Sequence, residues 1–246
     1  MNKTRLIALG IAALAALTFV ATALRTHPAV VTTGVALRHS SPSTVRFLPL
    51  GDSYTIGQSV RRADRWPNQL AARYETAGMP FRILANPAVT GYTTQDLIDR
   101  ELPLVARYRP GFITILIGVN DEVHGIHPAA FEHNLRLIIR RAKAEMTAPK
   151  EILLITIPDF AKTPTGAGFG DPTALTKNVE RFNSIIERVA HQSGLPLADV
   201  LPASELVTQN PSLVADDGLH PSGKQYSLWT DAIRRTLRTA GFFARR

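Results

Sequence analysis

The sequence predicts an α/β fold in which a parallel sheet is covered by helices on both faces. Apolar, strand-like runs alternate with amphipathic, helix-like segments along the chain, and this order is typical of βαβ units. Residues 112–117 and 151–157 are almost continuously apolar, which indicates strands that are buried on both faces of a sheet. The chain has 246 residues, of which 45% are hydrophobic and 20% charged, and this suits one sizeable domain.

Five strands and five helices are predicted. The strand candidates are residues 45–50, 81–85, 112–117, 151–157 and 195–200. The helix candidates are residues 66–77, 93–101, 128–146, 173–192 and 221–240. Apolar residues in the helix candidates recur at spacings of three and four, as for Phe131, Leu135 and Ile138, which marks amphipathic helices that pack on the sheet.

The amino-terminal segment has the pattern of an export signal. Lys3 and Arg5 precede residues 6–24, an uncharged stretch rich in Ala and Leu, and residues 21–23 offer an Ala-x-Ala cleavage site. Because the stretch is nearly long enough to span a bilayer, residues 1–24 are either a cleaved signal peptide or an uncleaved membrane anchor. Both alternatives place the rest of the chain in the cell envelope or outside the cell.

The remainder of the chain divides into a linker and one domain. Residues 25–44 contain Pro, Ser and Thr without a sustained period and are predicted to be a linker. Residues 45–246 are predicted to form the folded domain. Association with a membrane is expected through residues 6–24 if they stay uncleaved, and the oligomeric state is left open.

The composition excludes some function classes and disfavours others. There is no cysteine, which excludes disulfides, thiolate metal sites and a cysteine nucleophile. The net charge is +8, but the basic residues are scattered rather than gathered with aromatic residues, so no nucleic-acid partner is expected. His124, His127 and His133 lack the spacing of a helix-borne H-E-x-x-H zinc site, so no metal is expected. Apart from the flavin alternative considered below, no cofactor is expected either.

The segment Gly51-Asp52-Ser53 directly follows the first predicted strand. In parallel sheets, binding sites form beyond the carboxyl ends of the strands. The segment matches neither the G-x-G-x-x-G dinucleotide fingerprint nor a P-loop. The alternatives that remain are a plain turn, a flavin phosphate loop and a serine nucleophile at the tip of the sheet.

Asp217 and His220 provide a candidate base for that serine. A serine hydroxyl becomes a good nucleophile only when a base removes its proton and a third group orients the base. Asp217 stands three residues before His220, just ahead of the last predicted helix, so its carboxylate can fix the Nδ1–H tautomer of the imidazole. By itself this spacing also fits a capped helix start with a surface histidine. Combined with Ser53 at a strand tip, it favours nucleophilic catalysis.

Three hydrogen-bond donors are predicted to form an oxyanion hole. Asn120 follows the third predicted strand and can aim its side-chain amide into the cleft. Gly91 follows the second strand and lets the backbone approach a ligand closely. The N–H of Ser53 is the third donor. Taken singly, Gly91 and Asn120 are also compatible with plain turns.

These segments resemble the four sequence blocks of the SGNH hydrolases, also called GDSL-type esterases and lipases. The matching residues are Gly51-Asp52-Ser53, Gly91, Gly118-Val119-Asn120-Asp121 and Asp217-Gly218-Leu219-His220. The resemblance implies the SGNH hydrolase fold, a flavodoxin-like three-layer α/β/α sandwich with a five-stranded parallel sheet. It also implies Ser53 as nucleophile, His220 as base and Asp217 as its partner. The implied oxyanion hole consists of Ser53, Gly91 and Asn120.

Four further residues are expected to contact the substrate. Tyr54 stands where the family's first block has leucine and is expected to shape the pocket. His124 is expected to reach the substrate from the rim. Residues 157–173 are rich in Gly, Pro and Thr and are expected to form a partial lid or a pocket wall that brings Phe160 and Phe169 to the substrate.

The sequence therefore predicts an exported serine esterase that hydrolyses carboxylic esters through an acyl-enzyme intermediate. Its substrate is a small-molecule, lipid or glycan ester, and the acyl length and the alcohol are left open. Alternatives on the same fold are a polysaccharide O-deacetylase, a lysophospholipase and a thioesterase. A non-enzymatic alternative is an envelope-tethered binding module with an inactive site.

Overall fold

The computed structural model describes residues 44–147 and 151–243 of the chain. The predicted signal peptide or membrane anchor, residues 1–24, lies outside the described residues, as does the predicted linker, residues 25–44, apart from Thr44. Within the described part of the chain, no helix is both long enough and apolar enough to cross a membrane.

The sheet has five parallel strands, as predicted. They are β1 (Val45–Gly51), β2 (Phe81–Ile83), β3 (Phe112–Leu116), β4 (Glu151–Ile155) and β5 (Leu197–Ala198). Their order across the sheet is β2-β1-β3-β4-β5, and each of these neighbouring pairs is parallel. This is the strand order of flavodoxin-like sheets, in which the topological switch point lies between β1 and β3.

The strands are buried on both faces of the sheet because their apolar residues do not alternate with polar ones. All five residues of β3 are buried, and Arg46 is the single exposed residue of β1. Phe47 in β1 stacks on Phe112 in β3, with the ring centroids 4.9 Å apart, and meets Phe81 in β2 edge-on at 5.4 Å. These aromatic contacts join the three strands that surround the switch point.

Helices cover both faces of the sheet. They are α1 (Ser53–Ile56), α2 (Trp66–Thr76), α3 (Thr94–Asp96), α4 (Leu102–Tyr108), α5 (Val119–Val123), α6 (Pro128–Glu145), α7 (Pro172–Ser193), α8 (Leu201–Glu205) and α9 (Gly223–Thr239). Connections between parallel strands are right-handed, so connections that move in opposite directions across the sheet lie on opposite faces. The connection from β1 to β2 therefore lies on the opposite face from the connections that lead to β3, β4 and β5. Accordingly, α2 packs with α9 on one face, and α4 and α7 pack with α6 on the other.

The helix predicted at residues 93–101 is longer than expected. It continues to Tyr108, because α3 and α4 are joined by a π-helical turn at Leu97–Glu101. Pro103 is the second residue of α4 and has no N–H to donate to the preceding turn. The helix continues there because the Leu102 N–H donates to the Leu97 carbonyl in the π-helical turn.

Other boundaries also differ from the prediction. The edge strands β2 and β5 are shorter than the predicted residues 81–85 and 195–200. The last helix begins at Gly223 rather than at residue 221, because the Ser222 side chain accepts a hydrogen bond from the Gln225 N–H and thereby caps the helix. The short helices α1, α5 and α8 are absent from the prediction.

Gly51 permits a close approach between the end of β1 and β3. Its φ is +154°, and a Cβ at this position would lie 2.2 Å from the Leu116 carbonyl oxygen and 2.4 Å from Thr55 Oγ1. The Gly51 N–H donates to Oε2 of the buried Glu101 at 3.1 Å. Burial raises the pKa of Glu101 well above its ordinary value. The end of β1 is thus held between β3 and the π-helical turn.

Candidate active site

Ser53 lies at the carboxyl end of β1, where α1 begins. Asp52 caps this helix, because its Oδ1 accepts a hydrogen bond from the Tyr54 N–H at 3.0 Å. The Asp52 carbonyl accepts further hydrogen bonds from the N–H groups of Thr55 and Ile56 at 3.0 and 2.9 Å. The turn therefore holds Ser53 as the first residue of a short helix beside the switch point of the sheet.

Asp217 and His220 lie between α8 and α9 and are in direct contact. Asp217 Oδ2 and His220 Nδ1 are 2.6 Å apart. Asp217 Oδ1 accepts hydrogen bonds from the N–H groups of Leu219 and His220, both at 2.9 Å. An antiparallel bridge between Val214 and Pro221 closes the loop around the pair.

These hydrogen bonds set the charge of the pair. Partial burial by itself raises the pKa of Asp217, but hydrogen bonds from Ser59 Oγ and from the N–H groups of His220 and Leu219 lower it more. The pKa of Asp217 therefore lies well below its ordinary value, and the group is a carboxylate at neutral pH. A carboxylate at this position accepts the hydrogen bond of Nδ1–H and leaves His220 Nε2 as the basic nitrogen.

Ser53, Gly91, Asn120 and His220 meet on one cavity of about 250 Å³. Its lining consists of Ser53, Tyr54, Gln58, Thr90, Gly91, Val119, Asn120, Val123, Phe160, Phe169, Leu219 and His220. The hydrogen bonds of the described residues include none between the Ser53 hydroxyl and the His220 ring. In enzymes generally, hydrogen bonds between catalytic groups are often long without substrate and tighten in the complex.

The side-chain amide of Asn120 is fixed at the edge of this cavity. Asn120 is the second residue of α5, and its Nδ2 donates to the Tyr92 carbonyl at 2.9 Å. The same nitrogen faces Asp52 Oδ2 at 3.4 Å. Gly91 precedes Tyr92 in the loop after β2, has a φ of +86°, and has open space where a Cβ would stand. Loops from three strands thus converge beside Ser53.

Two buried carboxyl groups lie behind the cavity. Burial raises the pKa of Asp52 to about 7, and the negative charge of Asp121 adds to this against the hydrogen bond from Tyr54. Asp121 accepts hydrogen bonds from the N–H and the hydroxyl of Thr94, at 2.8 and 2.5 Å, and burial raises its pKa as well. Asp52 and Asp121 therefore connect the end of β1, the start of α3 and α5.

Comparison with known proteins identifies the family. A sequence model of the GDSL-like Lipase/Acylhydrolase family matches residues 50–228. The chain belongs to this family. It is therefore a hydrolase that acts on ester bonds. The Thioesterase 1/protease 1/lysophospholipase L1 of Escherichia coli strain K12 is 26% identical to this hydrolase over 203 residues, which cover 82% of this chain and 88% of that protein. Esterase TesA of Pseudomonas aeruginosa is 26% identical over 176 residues, which cover 72% and 79% of the two chains.

Solved structures show the same fold. The crystal structure of TesA superimposes on this hydrolase with a TM-score of 0.63 at 23% identity, covering 79% of this chain and 98% of that chain. Axe2, an acetylxylan esterase from Geobacillus stearothermophilus, does so with a TM-score of 0.63 at 21% identity, covering 82% and 96%. The predicted SGNH hydrolase fold with its five-stranded parallel sheet is confirmed.

Phe160 and Phe169 form one wall of the hydrolase's cavity. Phe160 is buried, whereas Phe169 is 50% exposed. Their rings meet edge to face with the centroids 6.0 Å apart. Both side chains line the cavity, so this wall is aromatic and reaches from the interior to solvent.

The loop at residues 157–173 is bonded to the loop that carries the Asp–His pair. Thr165 Oγ1 donates to the Asp217 carbonyl at 2.9 Å, and the Thr165 N–H donates to the Gly218 carbonyl at 2.9 Å. The segment also contains two 3₁₀ turns. The contacts fit the predicted pocket wall, and a lid movement stays a prediction.

Tyr54 and His124, which were also expected to contact the substrate, differ in their position relative to the cavity. Tyr54 is buried and lines the cavity, and its ring lies beside those of His220 and Trp229 at 5.1 and 6.2 Å. His124 is exposed at the end of α5 and is not among the described residues that line the cavity, whereas Val123 is. His124 is the C-cap residue of α5, one position beyond the helical residue Val123.

Sequence reasoning missed three residues at the site. Ser59 Oγ donates to Asp217 Oδ2 at 2.6 Å. Gln58 and Thr90 line the cavity and are hydrogen-bonded to each other through the Thr90 hydroxyl. Thr90 adjoins Gly91, which is a signal that was available. Nothing in the sequence singles out Ser59, because its partner is 158 positions away.

The raised pKa of Asp52 predicts how stability depends on pH. The folded protein holds the Asp52 proton up to about pH 7, whereas the unfolded chain releases it near 3.8. The contribution of this group to stability is therefore fully present below a pH of about 4 and is lost as the pH rises through about 7. Asp52→Asn has no proton to release. Relative to wild type, the variant should gain about 4 kcal/mol in free energy of unfolding between pH 4 and pH 8, measured by urea unfolding at each pH.

Asp99→Asn is the control, because Asp99 is an exposed aspartate in the π-helical turn. Stability curves for wild type and Asp52→Asn that stay parallel from pH 4 to pH 8 would show that Asp52 does not titrate in this range.

Proposed function

We propose that this hydrolase is an exported serine esterase that cleaves carboxylic esters with Ser53 as nucleophile, His220 as base and Asp217 as partner of the base. The observation that carries the proposal is the 2.6 Å contact between Asp217 and His220 at a cavity that Ser53 also lines. A carboxylate–imidazole pair that shares a cavity with a serine provides the groups that nucleophilic catalysis requires.

Acylation is the first half of the reaction. His220 Nε2 takes the proton of Ser53 Oγ while Oγ attacks the carbonyl carbon of the ester, and Asp217 stabilises the imidazolium that forms. The tetrahedral intermediate then collapses, the bond to the alcohol oxygen breaks, and His220 returns the proton to the departing alcohol. In the second half, His220 deprotonates a water that attacks the acyl-enzyme, and Ser53 regains its proton as the acid leaves.

Three donors stabilise the negative charge of the tetrahedral intermediates by hydrogen bonds. They are the N–H groups of Ser53 and Gly91 and the side-chain amide of Asn120. Gly91 and Asn120 line the same cavity as Ser53, and the hydrogen bond to Tyr92 already orients the Asn120 amide. Donors that are oriented before the reaction stabilise the developing charge without a further cost of reorganisation.

Ser53→Ala should lower kcat for p-nitrophenyl acetate by about 10⁴-fold or more, because no nucleophile remains. Its thermal unfolding should match that of wild type, since only a hydroxyl is removed. A fluorophosphonate probe should label wild type and leave the variant unlabelled. Ser184→Ala, at an exposed position on α7, is the control and should keep both activity and labelling. Hydrolysis by Ser53→Ala at the wild-type rate would refute the assignment.

The cavity supports short acyl groups as the preferred substrates. Its volume of about 250 Å³ is below the roughly 300–1,000 Å³ of typical small-molecule sites, and Phe160 and Phe169 close one side. Because an acetyl group is the smallest common acyl group, an acetylated polysaccharide is the second candidate substrate. Similar proteins are named thioesterase, lysophospholipase and acetylxylan esterase, so the leaving groups in this family vary widely.

Phe169→Ala should widen the acyl preference, because it removes the exposed ring from the cavity wall. Wild type should hydrolyse p-nitrophenyl acetate and butyrate with higher kcat/KM than the octanoate. The variant should raise the ratio of octanoate to acetate by about tenfold. Leu206→Ala removes another exposed apolar side chain outside the cavity and should leave the ratio unchanged. An unchanged ratio in Phe169→Ala would contradict the proposal that this ring limits the length of the acyl group. Acetylated oligosaccharides in the same screen test whether an acetylated polysaccharide is the substrate.

Export is the remaining part of the proposal. It is supported by Lys3 and Arg5 followed by the uncharged residues 6–24. In a bacterial host, the full-length chain should be recovered outside the cytosol. An intact mass that lacks residues 1–23 would identify a cleaved signal, and an uncut chain in the membrane fraction would identify an anchor. An uncut chain in the cytosolic fraction would contradict export.

A further inference from the structure

Ser59 occupies an unusual backbone position next to the Asp–His pair. It lies in the loop after α1, and its φ is +62°. This left-handed conformation is rare for residues other than glycine. The Ser59 hydroxyl donates to Asp217 Oδ2 at 2.6 Å, and the same oxygen is 2.6 Å from His220 Nδ1. A strained residue thus reaches the carboxylate oxygen that holds the proposed base.

We propose that Ser59 is a positioning residue for the Asp217–His220 pair, in which its hydroxyl holds the Asp217 carboxylate and withdraws part of its charge from the imidazole. The inference rests on the proposed function, since it concerns the base of that mechanism. It adds a fourth side chain to the three that the family resemblance supplies.

The backbone strain supports this role. Gly57, two residues earlier, also has a positive φ, of +71°, and its N–H and that of Gln58 both donate to the Ser53 carbonyl at 3.0 Å. The chain therefore turns back on α1 directly after the nucleophile. Glycine at position 59 would adopt this turn without strain. Backbone strain of this kind persists where the surrounding contacts compensate for it, and the contact to Asp217 is such a contact.

The acceptor capacity of Asp217 supports it as well. An ionised carboxylate has about four acceptor sites on two oxygens. Oδ1 takes the N–H groups of Leu219 and His220, and Oδ2 takes the Ser59 hydroxyl and the His220 ring. Four donors from two separate loops therefore fix the plane of the carboxylate. The Ser59 hydroxyl is the donor that comes from the α1 loop.

The sign of the electrostatic effect follows from this arrangement. A hydroxyl that donates to Asp217 stabilises its negative charge and weakens its attraction for a protonated imidazole. Removing the hydroxyl leaves the full charge facing His220, so protonated His220 becomes more favourable. The acid limb of the kcat/KM profile, which reports the free enzyme, should then move to higher pH.

The other titratable groups around the pair are the same in wild type and variants. Tyr54 of α1 and Tyr226 of α9 interact with Asp217, and burial raises the pKa of both well above its ordinary value, so they stay neutral. Asp52, whose pKa burial raises to about 7, interacts with Tyr54, and Asp216 is the chain neighbour of Asp217. A shift that appears when position 59 alone is changed therefore belongs to its hydroxyl.

The test compares Ser59→Gly, Ser59→Ala and Ser59→Asn. Both Ser59→Gly and Ser59→Ala remove the hydroxyl, and Gly also relieves the strained φ, so Ser59→Gly should melt at least as high as wild type. Both should lower kcat/KM for p-nitrophenyl acetate by about threefold and move the acid limb up by about half a pH unit. The effect is modest because Ser59 is exposed and water can replace its hydroxyl. Ser59→Asn tolerates the left-handed backbone and supplies an amide donor, so it should recover most of the wild-type profile.

An NMR titration of His220 in the Ser53→Ala background provides a readout that does not depend on activity. Adding Ser59→Gly to that background should raise the midpoint of the His220 titration by the same half pH unit or so. An unchanged midpoint together with unchanged kinetics in Ser59→Gly would reduce Ser59 to a turn residue and overturn the inference. If Ser53→Ala itself remained active, the proposed function would fail, yet the titration would still measure the coupling between Ser59 and His220.

Discussion

The close approach of β1 to β3 at Gly51 is the constraint on which the site depends. A Cβ here would lie 2.2 Å from the Leu116 carbonyl oxygen, so the strand can end in contact with its neighbour only with glycine at this position. The chain then turns directly into α1 and leaves Ser53 at the switch point, where the carboxyl ends of adjacent strands face the same side. The loops that carry Gly91 and Asn120 converge there because they follow neighbouring strands.

Three buried acids hold the turn after β1 and the start of α3, although their burial opposes stability. Glu101 accepts a hydrogen bond from the Gly51 N–H, and Asp52 accepts one from the Tyr54 N–H. Asp121 accepts one from the Thr94 N–H. Burial raises the pKa of all three, so keeping them charged would cost free energy of folding. They orient the turns, because each carboxyl group accepts a backbone hydrogen bond at a fixed position. The buried acids therefore make the support of the site rigid but lower the stability of the fold at neutral pH.

The sequence was sufficient for the large elements and for the residues that stand at strand ends. Continuous apolar runs located β1, β3 and β4, and periods of three and four located α6, α7 and α9, because burial imposes these patterns. The short helices α1 and α5 carry no such pattern, since tertiary contacts and not their own periodicity hold them. The role proposed for Ser59 could not be predicted from the sequence either, because it depends on a left-handed φ and on a partner 158 residues away. His124 was placed near the substrate by chain proximity, which does not determine the face of a helix.

The wall of the cavity and the Asp–His pair are parts of one structure. Thr165 bonds to the carbonyls of Asp217 and Gly218, and a Cβ on Gly218 would lie 2.7 Å from Thr165 Oγ1. The segment that carries Phe160 and Phe169 in the cavity wall is therefore hydrogen-bonded directly to the loop that carries Asp217 and His220. We expect these two hydrogen bonds to couple the shape of the wall to the position of the proposed base, His220. For this reason, acyl preference and turnover in this hydrolase are expected to vary together, more so for changes at the Thr165 end of the wall than for changes at the exposed ring of Phe169.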